Sequence, residues 1–166
     1  MAFMLSSPDI AADSTISAPY VYEACGGGNV SPELRWSGAP AGTMAYAITV
    51  YDPDAPTGSG WWHWLAYNIP AAASQLPRGA GSGSAPLPAG AAQGMNDYSQ
   101  RGYGGPCPPP GSSPHHYVFT VFALKVARLE LPANGSSALI GFNLNASMLA
   151  KASFTATYSR PALPAK

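Results

Sequence analysis

At 166 residues the chain fits one domain spanning residues 1–166, and that length can bury roughly two-thirds of the surface its unfolded form exposes, so folding does not require a disulfide. The formal net charge is zero and only 10% of residues are charged, which leaves no basic face to neutralise a phosphate backbone and excludes DNA and RNA as expected partners. Gly, Pro and charged residues punctuate every apolar run below the ~20 residues a membrane span needs. The first 14 residues lack a basic segment and are interrupted by Pro8 and Asp9, so a cytoplasmic location is expected.

Cys25 and Cys107 are the two cysteines, and without CxxC spacing they do not make a metal site by themselves. In a reducing compartment they are expected as free thiols, with a disulfide the alternative. Residues 33–38 (ELRWSG) suggest a short strand. The clearest local signal is a pair of strands at 44–51 and 62–69, apolar and aromatic-rich, separated by DPDAPTGSG with its two prolines and two glycines. If these strands pair directly, the end of the first lies beside the start of the second, which brings Asp52 close to His63 although eleven positions separate them. Residues 70–114 are dense in Gly, Pro, Ser and Ala, and a loop of that length in a small domain is functional or disordered. Function is favoured over a solvent loop of biased composition. The glycines of RGYGGPCPPPG at 101–111 let backbone N–H groups approach a ligand, and Pro106, Pro108, Pro109 and Pro110 stiffen the second half of that segment. A third alternating strand is predicted over 117–126, with His115 and His116 at its mouth. Further on, a short helix is predicted around 147–153 with Leu149 on its buried side, because Gly141 and the asparagines interrupt any longer periodicity, and FTATYS suggests a last strand. No repeat, P-loop, dinucleotide fingerprint or nucleophile elbow is present.

Five segments, NVSPELRWSG at 29–38, DPDAP at 52–56, GWWHW at 60–64, GYGGPCPPPG at 102–111 and HHYVFTVFAL at 115–124, occur in an order that resembles the bacterial, Raf-kinase-inhibitor-like branch of the phosphatidylethanolamine-binding protein family. The resemblance implies a mostly β fold, in which a large central antiparallel sheet packs on a smaller sheet with peripheral short helices, and a ligand pocket lies at one end of the large sheet. Carried over by motif, the ligand-binding residues are Asp52, Asp54, His63, Gly104, Gly105, Pro106, His115 and Tyr117. The resemblance also implies a homodimer, and it places the segments of Cys25 and Cys107 near the pocket rim, where the sulfurs would be neighbours. One departure stands out: the family commonly has Arg where this chain has His116, which weakens anion affinity if that position faces the ligand and is silent if it faces solvent.

A pocket so composed suits a small anionic ligand, phosphate-bearing or with a zwitterionic headgroup, because imidazoles, a tyrosine hydroxyl and loop N–H groups are donors without a strong permanent field. Asp52 then needs a role, either accepting a hydrogen bond from His63 or facing a ligand ammonium. Asp52 and Asp54 have turn chemistry around Pro53 as their plain alternative, and His63, among three tryptophans, has a core position as its own. With no Arg or Lys assigned to the pocket, positive charge would come from histidines as pH falls towards ~6.5, so binding is expected to strengthen in mild acid. No catalytic residue, metal or cofactor is assigned. The competing readings are an enzyme using Asp52, His63 and His115, as a metal set or with a nucleophile, and a kinase-inhibitor-type regulator with an unspecified protein partner.

Overall fold

The computed structural model describes residues 1–166, and its architecture is two antiparallel sheets. The small sheet has the order β1–β2–β5, from Met4–Ser6, Leu34–Ser37 and Gln75–Leu76. The large sheet has the order β6–β4–β3–β7–β8, from Ala92–Gln93, Trp61–Pro70, Ala45–Asp52, His115–Leu124 and Met148–Tyr158. Two single-turn 3-10 segments, Ala18–Tyr20 and Glu23–Cys25, and one α-helix, α1 at Ser137–Ser147, complete the fold.

Alternation along the central strands produces two cores. On β3, Tyr46, Ile48 and Val50 face the small sheet and join Leu34, Trp36, Leu76, Tyr117, Phe119 and Val121 in the main core. Ala47, one position out of phase, faces the other side with Leu65, Tyr67 and Phe122, where Ile140 and Leu144 of α1 cover them. Burying side chains of that size contributes about 1.5–3 kcal/mol each.

The helix lies ten residues before the predicted one. Ser136 caps it by accepting from the Leu139 N–H, and Ile140 and Leu144, one turn apart, are its buried residues. Gly141 is tolerated because an added Cβ there would meet nothing, so its position faces open space. Residues 147–153, expected to be helical, instead run into β8, which pairs with β7 from Met148 to Tyr158 with one slip that leaves Leu149 unpaired and exposed. Tertiary pairing overrides local propensity here. The predicted strand at 117–126 begins two residues earlier, so His115 and His116 belong to β7 itself.

Candidate functional site

Three neighbouring strands, β4, β3 and β7, bring chemistry to the same end of the large sheet. Asp52 is the last residue of β3 and is paired with Trp61, the first residue of β4. Within β7, His115 and Tyr117 are buried and His116 between them is exposed, as the pleat requires. Between Val50↔Trp64 and Tyr51↔Trp62 the register slips, leaving His63 without a partner. This bulge lets consecutive His63 and Trp64 both serve the main-core side, Trp64 inside the core and His63 against the cavity next to it. The turn that returns the chain to β4 depends on Gly60, which has φ +72° and where an added Cβ would lie 2.7 Å from the Asp52 carbonyl oxygen.

The result is a cavity of about 270 Å3. Asp52, His63, His115 and Tyr117 form its polar lining, the turn at Ala55, Pro56 and Thr57 one wall, and Cys107, Pro108 and Pro109 the other. Trp61 and Tyr98 complete it.

Asp52 is 3% exposed, and its partner is His115, whose Nδ1 donates to Oδ2 at 2.7 Å. The expected bond from His63 is not made. The other carboxylate oxygen of Asp52 accepts from the Asp54 N–H at 2.8 Å, so turn chemistry and histidine orientation are both performed by one side chain. His63 instead places Nδ1 2.7 Å from the Gly104 carbonyl oxygen. Burial pushes its pKa down from 6.5 to about 4, against the smaller opposing effect of that carbonyl and of Asp52. His63 therefore stays neutral in mild acid, and the expected gain of anion-binding charge at this residue is corrected. Burial raises the Tyr117 and Tyr98 hydroxyls, so both remain protonated donors. The Tyr117 hydroxyl and the Trp61 Nε1–H are buried without a partner in the protein, on side chains that line the cavity.

Gly104, Gly105 and Pro106 lie behind His63 and not in the cavity wall. The two glycine N–H groups, expected to face a ligand, are already used: Gly104 donates to the His63 carbonyl at 2.8 Å and Gly105 to Asn29 Oδ1 at 2.8 Å. A Cβ on Gly105 would sit 2.3 Å from the Tyr20 carbonyl oxygen, so the glycine serves close packing against residues 20–22. Asp54 is outside the cavity, where its carboxylate accepts from both the N–H and the Nδ1 of His116 at 2.7 Å, and that hydrogen bond holds its carboxyl below the usual range. His116 thus faces solvent and Asp54, which makes the Arg-to-His departure silent for a ligand in the cavity.

Sequence reasoning missed Tyr98. Its ring stacks on Tyr22 with centroids 3.9 Å apart, its edge meets His63, and its hydroxyl donates to the Gly105 carbonyl at 2.7 Å. Its segment is held by Asn96, 3% exposed, whose side chain accepts from the N–H groups of Tyr98 and Gln100 and donates to the Gly102 carbonyl. The Asn96 turn is local to NDYS, but the contacts that bring Tyr98 to the cavity, with Tyr22 and His63, come from residues far away in the chain.

The free-thiol expectation is overturned: Cys25 and Cys107 form a disulfide with Cα atoms 5.6 Å apart. The physical reason is the convergence of the Glu23–Cys25 turn with the proline wall, where the Tyr22 N–H donates to the Pro106 carbonyl at 3.0 Å. No group of three or more His, Cys, Asp or Glu side chains is placed to hold a metal ion.

Comparison with known proteins returns a match over residues 6–159 to the family model described as phosphatidylethanolamine-binding protein. The chain is 49% identical over 160 residues to the UPF0098 protein YbcL of Escherichia coli, covering 95% of this chain and 87% of that one. It is 44% identical over 157 residues to YbhB of the same organism, covering 93% and 99%. The crystal structure of E. coli YbcL, described as a member of the mammalian PEBP family, superposes with a TM-score of 0.93 at 48% identity, over 96% of this chain and 99% of that one.

Proposed function

Because this chain belongs to the phosphatidylethanolamine-binding protein family, we propose that it is a small-ligand-binding protein whose cavity takes an anionic, phosphate-bearing headgroup. The observation that carries this reading is the buried hydroxyl of Tyr117, which has no protein partner and belongs to a residue that lines the cavity with His63 and His115. A buried polar group left unpaired costs about 1–3 kcal/mol, and an oxygen-rich ligand drawn onto that surface would recover it. Trp61 Nε1–H, a donor only, asks for the same chemistry. Asp52, committed to His115 and to the Asp54 N–H, presents less free carboxylate to an anion than a bare aspartate would.

Binding is favoured over covalent catalysis by the lining itself. It has no serine or lysine, the Cys107 sulfur is in a disulfide, and the Thr57 hydroxyl donates to the Gly60 carbonyl, so no free aliphatic hydroxyl or thiol faces the Asp52–His115 pair. The bridge also favours an oxidising compartment over the cytoplasm, where thiols are kept reduced. No helix is long and apolar enough to cross a membrane. Pairing as a homodimer belongs to the same proposal and is tested by sedimentation.

Titration with methyl phosphate followed by Trp61 fluorescence and by ring NMR of His63 and His115 tests the site. The expected result is saturable change at all three residues, abolished by His115→Ala. Saturable binding that leaves these signals unchanged would place the anion elsewhere.

A further inference from the structure

On the reading that the cavity binds phosphate-bearing headgroups, we infer that it selects oxyanions carrying a proton, phosphate monoesters in their monoanionic form, over anions of equal charge that have no P–OH. The argument begins at His63. Its Nδ1 lies 2.7 Å from a carbonyl oxygen, which only accepts, so Nδ1 carries the hydrogen and the neutral ring has its lone pair on Nε2. Nε2 has no partner in the protein, and the ring lines the cavity.

Burial keeps this ring neutral, although two carboxylates and the Gly104 carbonyl that face it favour the charged form. It is 3% exposed. Asp52, from β3, is bonded to His115 and to the Asp54 N–H. Asp97, from the loop, accepts from the Trp62 N–H and the Ser137 hydroxyl. Tyr98 and Tyr117 meet the ring edge to face and are held protonated by burial. The pKa near 4 agrees with this arrangement. His115 has its Nδ1–H committed to Asp52, so its Nε2 donates only when the ring is an imidazolium.

The residues lining the cavity therefore hold two unpaired donors, the Tyr117 hydroxyl and Trp61 Nε1–H, and an obligatory acceptor at His63. An oxyanion without hydrogen satisfies the donors but sets a lone pair against a lone pair at His63. A P–OH group satisfies both, its oxygens accepting and its proton going to His63 Nε2. This is discrimination by hydrogen-bond polarity at constant charge.

Ethyl phosphate monoanion and dimethyl phosphate are isomers of the same charge, and only the first has a P–OH. Near pH 5 a phosphate monoester is mostly monoanionic, its second pKa being about 6. Calorimetric titration there is expected to show ethyl phosphate binding at least about tenfold more tightly, the ratio that one unsatisfied buried acceptor supports. In wild-type protein, the 15N resonance of His63 Nε2 should read as an unprotonated nitrogen that moves on adding ethyl phosphate and not dimethyl phosphate, and His63→Ala should bring the two affinities together. Equal affinity of the isomers for wild type, or a hydrogen on Nε2, overturns the selectivity while leaving the anion site standing. Glycerophosphoethanolamine, a diester with an ammonium, overturns it too if it equals ethyl phosphate, because the ammonium would then be the donor. If none of the three binds, the anion reading and this inference fail together.

Discussion

Two aspartate–histidine pairs at neighbouring positions have the same chemistry and different consequences. Asp52–His115 is buried, with side-chain exposures of 4% and 7%, whereas Asp54–His116 is open to water at 41% and 57%. Asp52→Ala leaves the His115 Nδ1 and the Asp54 N–H without a buried acceptor and is expected to cost about 3 kcal/mol, while Asp54→Ala is expected to cost about 1 kcal/mol or less. Urea titrations of the two variants check this, and equal losses would contradict it. His63 adds a pH dependence of known sign. Its folded pKa, about 4, is below the unfolded 6.5, so between those values the unfolded chain binds a proton that the folded protein excludes. The stability contributed by the neutral ring is complete above about pH 6.5 and is lost as pH falls towards 4, by roughly 2–3 kcal/mol. Denaturant titrations at pH 7 and 4.5 should show a larger loss in wild type than in His63→Gln, which has no titrating ring. Parallel losses would mean that other groups dominate acid sensitivity.

Among the elements, the segment 106–110, which carries the Cys107–Pro109 wall, is the least self-sufficient. Four of its five residues are prolines and donate no N–H, and it is held from outside by the Tyr22 N–H on Pro106, by Arg160 Nε on Pro108 at 2.7 Å, and by the disulfide. The two cysteines are 82 residues apart, so opening the bridge releases a long loop in the unfolded chain. Loss of about 2–4 kcal/mol is expected on adding dithiothreitol or in Cys25→Ser/Cys107→Ser, read as a lower denaturation midpoint. A midpoint indifferent to dithiothreitol would show that the bridge does not cross-link the protein in solution. The bulge in β4 is the second element that positions chemistry, since in an unbroken ladder His63 and Trp64 would point to opposite faces.

Across the whole molecule, the main core surrounds the base of the cavity and the second core lies on the opposite face of the large sheet under α1. Leu144→Ala, deep in the second core, is expected to cost about 2–5 kcal/mol in stability while leaving ligand affinity at the cavity unchanged, because the two features share no side chain. Combined denaturation and calorimetry decide this, and a large affinity loss would show that the sheet transmits strain between its faces. The same separation explains what was legible in the residues alone. The apolar, aromatic-rich strands at 44–51 and 62–69, joined by a short loop, implied a pair of strands that brings Asp52 towards His63, because strand composition and a short connection are local properties; His115 and Tyr117 joined them only through the family resemblance of the ordered DPDAP, GWWHW and HHY segments. The partners of those residues were not legible. Asp52 bonds His115 across 63 positions, His63 bonds Gly104 across 41, and Tyr98 and Cys107 enter the wall through residues 20–29. The sequence by itself determined the strands and the loop that bring Asp52 and His63 to one end of the sheet. Tertiary structure decided which hydrogen each one holds, because that depends on a bulge, on burial and on acceptors delivered by distant loops.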